Sequence, residues 1–295
     1  MSSIGVVGLG IMGSAMAGHL IKAGHHVVGY DVRAAPLREL RAAGGSAATS
    51  CLDVGRQARI IITSLPSADA LAQTVDALKR SARPSQIVID TSTLPIEVKR
   101  RARARLRAMG IELLDCPISG TGAQARNKDI VVYASGTRRT YGRVSTVLDA
   151  FTRAHYFVGP FGDGSKVKFV ANLLVAIHNV AAAEAMVLAM KAGLDARKVL
   201  KLITEGAGSS RVLQLRGPMM VKGNYRQATM TLATWQKDMA IIAEFAREVG
   251  SATPLFSATA PIYAAAVTER SGEDTAAVCA VLEEMAHYRR RRRVR

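Results

Sequence analysis

The chain contains 295 residues, a length that predicts two domains and allows a large buried core. Hydrophobic residues make up 49 % of the sequence, which excludes a mainly disordered chain. The net charge is +17, which makes nucleic acid a partner to consider.

The positive charge is not arranged as in known nucleic-acid-binding motifs. A terminal run of arginines, residues 289–293 and 295, supplies part of it. No interleaved aromatic residues, helix-turn-helix signature or zinc-finger spacing accompany the cations. Other cations are expected on a solvated helix face, namely Lys99, Arg100, Arg101, Arg103, Arg105 and Arg107. We therefore predict no specific nucleic-acid partner, and a disordered basic tail over residues 289–295.

The cysteines bear on metal sites and on the redox compartment. Cys51, Cys116 and Cys279 are scattered and lack the paired spacing of a zinc or redox centre, so no metal site is predicted. An odd, sparse set of thiols without a signal peptide predicts a reducing, cytoplasmic setting.

The first predicted elements in chain order form a dinucleotide-binding pattern. An apolar strand, residues 4–7, leads into a glycine turn that consists of Gly8, Leu9, Gly10, Ile11, Met12 and Gly13. A helix over residues 14–23 follows, and then a strand that ends at Asp31, 18 residues beyond Gly13. The glycines allow a tight turn, close approach of a pyrophosphate and close helix–strand packing, while N–H groups at the helix start bind phosphates. The pattern predicts a Rossmann-type cofactor site.

The acid at the end of the second strand bears on which dinucleotide binds. Asp31 is expected to accept hydrogen bonds from the ribose hydroxyls and to repel a 2′-phosphate, which favours NAD over NADP. Arg33 lies two residues later and weakens that preference without reversing it. NAD is therefore the expected cofactor, and NADP stays open.

Strands and helices then alternate as far as residue 158. The predicted strands are residues 59–64, 86–90, 111–115, 130–134 and 155–158, with helices at 67–79 and 95–109. This alternation predicts a parallel, doubly wound α/β sheet, whose ligands lie at the carboxyl ends of the strands. Three runs occupy these ends: Ser64-Leu65-Pro66, Asp90-Thr91-Ser92-Thr93 and residues 115–121. Each run is also typical of turns and helix caps, but three of them beside a glycine turn favour a ligand site.

A long helix is predicted next. Between Gly164 and Gly193 there is neither Gly nor Pro, so we expect one helix of about 28 residues. It is apolar enough to resemble a membrane span, but Asn172 and Asn179 are among the polar residues that interrupt it, and a buried helix of a soluble protein is expected. Lys168, Asn172 and Asn179 fall within about 40° on a helical wheel. This polar stripe permits a functional and a structural interpretation.

Helices alone are predicted after residue 193, with breaks at residues 206–208 and 216–218. The predicted organisation is therefore a Rossmann domain over residues 1–161, an interdomain helix over 162–193, an all-helical domain over 194–288 and the basic tail over 289–295.

Five runs resemble the motifs of the β-hydroxyacid dehydrogenase family, which includes 3-hydroxyisobutyrate dehydrogenase and tartronate semialdehyde reductase. Residues 8–17 resemble the opening motif, and residues 90–93 and 115–120 resemble the cofactor loop and the substrate loop. Gly162-x-Gly164-x3-Lys168-x3-Asn172 is similar to the catalytic motif, and Lys237-Asp238 to a late Lys-Asp pair. The resemblance covers residues 4–288 in consistent order.

The resemblance implies roles for individual residues. Lys168 would exchange the proton of the substrate hydroxyl, provided that burial and neighbouring cations such as Lys166 and Lys237 bring its pKa towards neutrality. Thr93 and Lys237 would contact the cofactor, with Leu65 and Pro66 on its nicotinamide side. A small substrate carboxylate would bind Ser119, Gly120 and Thr121, while Asn172 would bind the substrate or orient the ammonium group.

The sequence departs from the family pattern around the substrate. Thr121 replaces the usual second glycine after Gly120, residues 122–129 form a more basic loop than is usual, and Met230 stands where relatives often have Phe. These departures concern the choice of acid rather than the reaction, which is expected to interconvert a small 3-hydroxy acid and its semialdehyde or keto acid.

Three alternatives remain open. A decarboxylating sugar-phosphate acid dehydrogenase usually has His where this chain has Ala171 and needs a longer helical domain, and imine reductases usually replace the lysine found at Lys168. A noncatalytic module would bind the cofactor without turnover and nucleic acid through its tail. No membrane partner is expected. A homodimer or homotetramer is expected, because relatives of this kind commonly associate.

Overall fold

The computed structural model of the chain describes residues 3–290. These residues form two compact units, with the boundary between Lys168 and Phe169. The first unit contains the sheet and the second is helical. The predicted α/β class with a following helical part is therefore confirmed.

The sheet of the first unit has the order β3-β2-β1-β4-β5-β6-β8-β7, with β9 paired to β8. Its strands are β1 (Ser3–Val7), β2 (His26–Tyr30), β3 (Ser46–Ala47), β4 (Ile60–Thr63), β5 (Ile87–Asp90), β6 (Glu112–Asp115), β7 (Ile118–Ser119), β8 (Val131–Ser135) and β9 (Ala154–Gly159). The six neighbouring strands β3, β2, β1, β4, β5 and β6 are parallel to one another, and β8 and β9 are also parallel. β8 is antiparallel to both β6 and β7. The connection from β6 to β8 contains β7 and no helix longer than five residues, so it does not form a long helical crossover.

Helices cover both faces of this sheet. They are α1 (Ile11–Lys22), α2 (Ala34–Ala42), α3 (Cys51–Gln57), α4 (Ala68–Arg80), α5 (Ile96–Arg107), α6 (Gly122–Arg126) and α7 (Arg138–Phe151). Neighbouring strand residues alternate between two apolar layers: Val6 and Ile62 belong to one, Val7 and Ile61 to the other. Because both faces are buried, these strands are apolar throughout.

The second unit holds most of α8 (Asp163–Lys191), a helix of 29 residues, and the helices that follow. These are α9 (Ala196–Glu205), α10 (Arg211–Lys222), α11 (Leu232–Glu248), α12 (Pro254–Arg270), a 3₁₀ turn (Thr275–Ala277) and α13 (Val278–Met285). The predicted break at residues 216–218 is wrong, because α10 continues through Pro218. Packing outweighs the proline there: a Cβ on Gly217 would lie 2.4 Å from Leu200 of α9, and Arg216 forms a buried ion pair with Asp274.

The polar residues of α8 have different partners. The Asn179 side-chain amide donates to the Tyr263 hydroxyl and to the Thr275 carbonyl, each at 2.9 Å. The structural interpretation of Asn179 is thus confirmed. By length and composition α8 could cross a membrane, but half of its most apolar window is buried inside the protein. A buried, hydrogen-bonded amide is typical of a core helix.

The predicted basic tail begins at residue 289, and its residues 291–295 lie outside the described part of the chain. Arg290 lies within it and its guanidinium donates to the Glu283 carboxylate, at 3.0 Å from Nε to Oε1. The same guanidinium reaches the carbonyl oxygen of Val221 at 2.9 Å.

Candidate active site

The glycine turn between β1 and α1 leaves room for a ligand at one position and for no side chain at two others. A Cβ on Gly8, whose φ is +87°, would lie 2.2 Å from the carbonyl oxygen of Ser64, and one on Gly13 would lie 1.9 Å from that of Gly8. A Cβ on Gly10 would meet nothing within 4 Å. Gly10 also precedes α1 without a side-chain cap. Open space at an uncapped helix start fits the pyrophosphate of a dinucleotide.

Asp31 closes this turn from the end of β2. Its carboxylate accepts the Leu9 N–H at 2.8 Å and the Arg33 N–H at 2.9 Å, and the Arg33 Nε lies 3.2 Å away. Burial alone would raise the pKa of Asp31, but the hydrogen bonds from Arg33 and Leu9 together hold it below its ordinary value. Asp31 is therefore ionised and fixed beside the turn, while the Arg33 side chain stays mostly exposed.

Hydrogen bonds link the residues at the carboxyl ends of β4 and β5, beside the glycine turn. Asp90 accepts the Thr63 hydroxyl at 2.8 Å and the Ser92 hydroxyl at 2.7 Å. The Ser92 oxygen in turn accepts the Leu65 N–H at 2.9 Å. A Cβ on Gly8 would lie 3.3 Å from the Leu65 side chain, so Leu65 and Pro66 leave β4 beside the glycine turn. Thr93 follows in the same run, residues 90–93, which is the predicted cofactor loop.

The expectation of a solvated Lys99 is wrong. Its side chain is fully buried, and its Nζ lies 2.7 Å from Asp115 Oδ1 and 3.0 Å from Asp90 Oδ2. Lys99 shares the inner face of α5 with Ala102 and Leu106, so the helical period already indicated its burial. Burial alone would lower the pKa of Lys99, but Asp115 and Asp90 outweigh it and hold the pKa above its ordinary value. The lysine is therefore charged.

Asp115 connects the end of β6 to the first turn of α8. Its carboxylate accepts the Ser165 N–H and hydroxyl, each at 2.8 Å, and the Ser135 hydroxyl at 3.1 Å. A Cβ on Gly164 would lie 2.4 Å from the Tyr133 carbonyl oxygen and 2.8 Å from that of Asp115. Only glycine fits this close approach, so the start of α8 is held against the residues that end β6 and begin the predicted substrate loop.

The predicted carboxylate-binding residues follow β6. Ser119 ends β7, and Gly120 has φ +142° with Ile130 2.8 Å from where its Cβ would be. Thr121 is the N-cap of α6: its N–H donates to Gln124 Oε1 at 3.0 Å, and its hydroxyl accepts the Gln124 N–H at 3.4 Å. The expected loop over residues 122–129 therefore begins with a helix. Part of the hydrogen-bonding capacity of Thr121 serves this capping box.

Helix α6, which follows the predicted substrate loop, also reaches the glycine turn. A Cβ on Gly122, the first residue of α6, would lie 2.3 Å from the Ile11 side chain, and His19 of α1 lies 2.8 Å from the Ala125 carbonyl oxygen. The structure thus brings the residues that follow β6 next to the glycine turn within the first unit.

Lys168 is buried on α8, one turn before Asn172. Lys166, expected as a neighbouring cation, is instead exposed and pairs with Asp163 at 2.9 Å, on another face of the helix. Its charge is thus partly compensated by the aspartate.

Within the second unit, Asp238 of α11 joins two of the predicted residues. It accepts the Asn172 side-chain amide at 3.0 Å and lies 3.6 Å from Lys237 Nζ. Asp238 is itself buried and was noted in the sequence only as part of the Lys-Asp pair. Its contact with Asn172 joins residues 66 positions apart in the chain, which the sequence pattern does not reveal.

Two protein-family models match most of the described chain. Residues 3–159 match the family described as the NAD binding domain of 6-phosphogluconate dehydrogenase. Residues 162–282 match the family described as NAD-binding of NADP-dependent 3-hydroxyisobutyrate dehydrogenase.

Individual relatives align along nearly their full length. The L-threonate dehydrogenase of Cupriavidus necator is 32 % identical, covering 94 % of each chain. The NAD-dependent L-serine dehydrogenase of Pseudomonas aeruginosa is 29 % identical over 89 % of this chain and 91 % of that protein. The solved structure of Mycobacterium tuberculosis 3-hydroxyisobutyrate dehydrogenase with L-serine has a TM-score of 0.87 at 28 % identity, covering 96 % of this chain and 99 % of that one. The chain therefore belongs to the β-hydroxyacid dehydrogenase family and is an oxidoreductase that binds a nicotinamide dinucleotide.

Proposed function

We propose that the protein interconverts a small 3-hydroxy acid and its semialdehyde or keto acid, with NAD as the favoured cofactor and Lys168 as the general acid and base. One observation carries this proposal: Lys168 is buried on a helix whose first turn is held against the substrate loop by Gly164 and by Asp115. A proton-transfer group on a rigid element beside a carboxylate-binding loop suits hydride transfer from an alcohol.

The nicotinamide ring, when bound, supplies the site that accepts or donates the hydride. In the oxidative direction, a neutral Lys168 Nζ takes the hydroxyl proton while the carbon-bound hydrogen leaves with its electron pair, and the C–O bond becomes a carbonyl. In the reductive direction, the Lys168 ammonium returns the proton to the oxygen. The burial of Lys168 excludes bulk water from this exchange.

The substrate carboxylate would bind the substrate loop. Ser119 offers a hydroxyl and Gly120 a backbone N–H, which are the donors that a carboxylate requires. Thr121 contributes less than the sequence predicts, because its N–H and hydroxyl contact Gln124. By the family resemblance Asn172 would bind the substrate, and Asp238 orients its side-chain amide.

A substrate panel tests the reaction. L-serine, L-threonate and 3-hydroxyisobutyrate, which appear in the names of relatives, are compared with glycerate as substrates of the purified protein, with NAD and with NADP. We expect absorbance at the reduced-nicotinamide wavelength to rise with at least one acid and NAD. Dinucleotide binding without turnover of any acid in either direction would contradict the proposal and favour a noncatalytic module.

Cofactor preference is expected to respond in opposite directions to two substitutions beside the turn. Asp31→Asn removes the charge that repels a 2′-phosphate and should shift the NAD/NADP affinity ratio towards NADP by about tenfold. Arg33→Ala removes a cation that would attract the 2′-phosphate and should shift the ratio towards NAD. Fluorescence titration with each dinucleotide measures both. An unchanged ratio in the two variants would contradict the role given to Asp31.

A further inference from the structure

One buried charge lies between the cofactor loop and the start of α8, and no step of the proposed reaction uses it. Lys99, Asp90 and Asp115 are all 0 % exposed, and the lysine ammonium contacts both carboxylates. Removing one partner of a buried ion pair leaves an uncompensated charge, which is strongly unfavourable. The ammonium group therefore holds the two carboxylates at a fixed separation.

The Asp90 carboxylate reaches the cofactor side of the site. It binds the Thr63 and Ser92 hydroxyls, and the Ser92 oxygen holds the Leu65 N–H. Any displacement of Asp90 is thus passed to Leu65, which leaves β4 beside the glycine turn. Within the first unit, this is the path from Lys99 to the cofactor.

The Asp115 carboxylate reaches the helix that carries Lys168. The N–H groups at the start of a helix have no intrahelical acceptor, and the first intrahelical bond in this turn runs from the Lys166 N–H to the Gly162 carbonyl. Asp115 supplies an acceptor for the preceding N–H, that of Ser165, and its negative charge suits a helix N-terminus. Lys168 lies three residues further on, so the position of Asp115 sets the position of its backbone.

We propose that Lys99 is a positioning residue for the reaction: it fixes the cofactor loop and the first turn of α8 relative to each other, so that the nicotinamide side of the site and Lys168 are aligned. The inference rests on the proposed function for its kinetic part only. Its effects on the cofactor loop and on the first turn of α8 can both be measured without turnover.

Three substitutions distinguish the link from Asp90 to the cofactor loop from the link between Asp115 and the start of α8. Asp115→Asn should lower kcat by about ten- to a hundredfold and speed hydrogen exchange at the Ser165 amide, with little change in the dinucleotide Kd. Asp90→Asn should raise that Kd by about tenfold, with little change in Ser165 exchange. Lys99→Met, of similar length but uncharged, should show both defects. Arg100→Met is the matched control on the exposed side of α5 and should show neither.

All values are taken per folded molecule, well below the melting temperature, so that a general loss of stability is not counted. If Lys99→Met does not fold, the double variant Lys99→Met with Asp115→Asn restores the net charge of the cluster and should again show both defects. Wild-type kcat, Kd and Ser165 exchange in the folded lysine variant would overturn the proposal, as would identical defects in the two aspartate variants. A wild-type protein that turns over no acid would refute the proposed function while leaving the Kd and exchange measurements as a test of the positioning role.

Discussion

Replacing Lys168 by alanine is expected to lower kcat by about a hundredfold to ten-thousandfold, the range measured when a general acid or base is removed. The physical reason is that the hydroxyl proton then has no buried acceptor as the hydride leaves. Dinucleotide binding should change little, because Lys168 has its proposed role at the substrate oxygen. The measurements are kcat from initial rates and Kd from fluorescence titration.

Lys166→Ala is the matched control for this substitution. Lys166 lies two residues earlier on the same helix, is exposed, and forms a surface ion pair with Asp163, of the kind worth about 0–1 kcal/mol. Its removal should leave kcat within about twofold of the wild-type value. Equal turnover by the Lys168 variant and the wild type would refute the assignment of the general acid and base.

Replacing Gly13 by alanine is expected to abolish measurable dinucleotide binding and to lower the free energy of unfolding by about 1–3 kcal/mol. The new Cβ would lie 1.9 Å from the Gly8 carbonyl oxygen, and because that atom belongs to the backbone, the turn itself must move. The N–H groups at the start of α1 move with it. Chemical denaturation and fluorescence titration measure the two effects.

Two other glycines on the same segment distinguish distortion of the turn from occupation of the space proposed for the ligand. Gly10→Ala meets no protein atom within 4 Å, so it should preserve the free energy of unfolding yet weaken dinucleotide binding, because its methyl group takes the place proposed for the pyrophosphate. Gly18→Ala lies in the middle of α1 with open space around it and should stabilise the protein by about 0.5–1 kcal/mol without changing Kd. If the Gly13 variant folds and binds like the wild type, the turn is not the cofactor site.

The parts of the site that follow from local sequence were predictable. The glycine turn and Asp31 lie in one strand–turn–helix–strand unit, in which spacing alone places each residue. The long helix was predicted from the absence of Gly and Pro between Gly164 and Gly193, and its observed bounds, Asp163–Lys191, differ by one or two residues. Residue propensity and spacing are sufficient where a feature depends on near neighbours.

The parts that depend on distant partners were missed. Lys99 was grouped with arginines that follow it in the chain, but in the structure it meets Asp90 and Asp115. The two aspartates are far apart in sequence and become neighbours through the pairing of β5 with β6. Helix α6 was predicted as a loop, but Thr121 and Gln124 have the spacing of a capping box, which was a readable signal. The continuation of α10 through Pro218 depends on packing that residue propensity does not contain.

The hydrogen bond between the Leu9 amide and Asp31 means that the acid proposed to receive the ribose is already held in place by the protein. A preorganised acceptor loses little conformational entropy when a cofactor binds, so more of the interaction energy is retained as affinity. A cofactor that binds the folded chain and not the unfolded chain also stabilises the fold. At a dinucleotide concentration about a hundred times Kd, this linkage amounts to about 2.7 kcal/mol. The free energy of unfolding would then rise with the dinucleotide concentration.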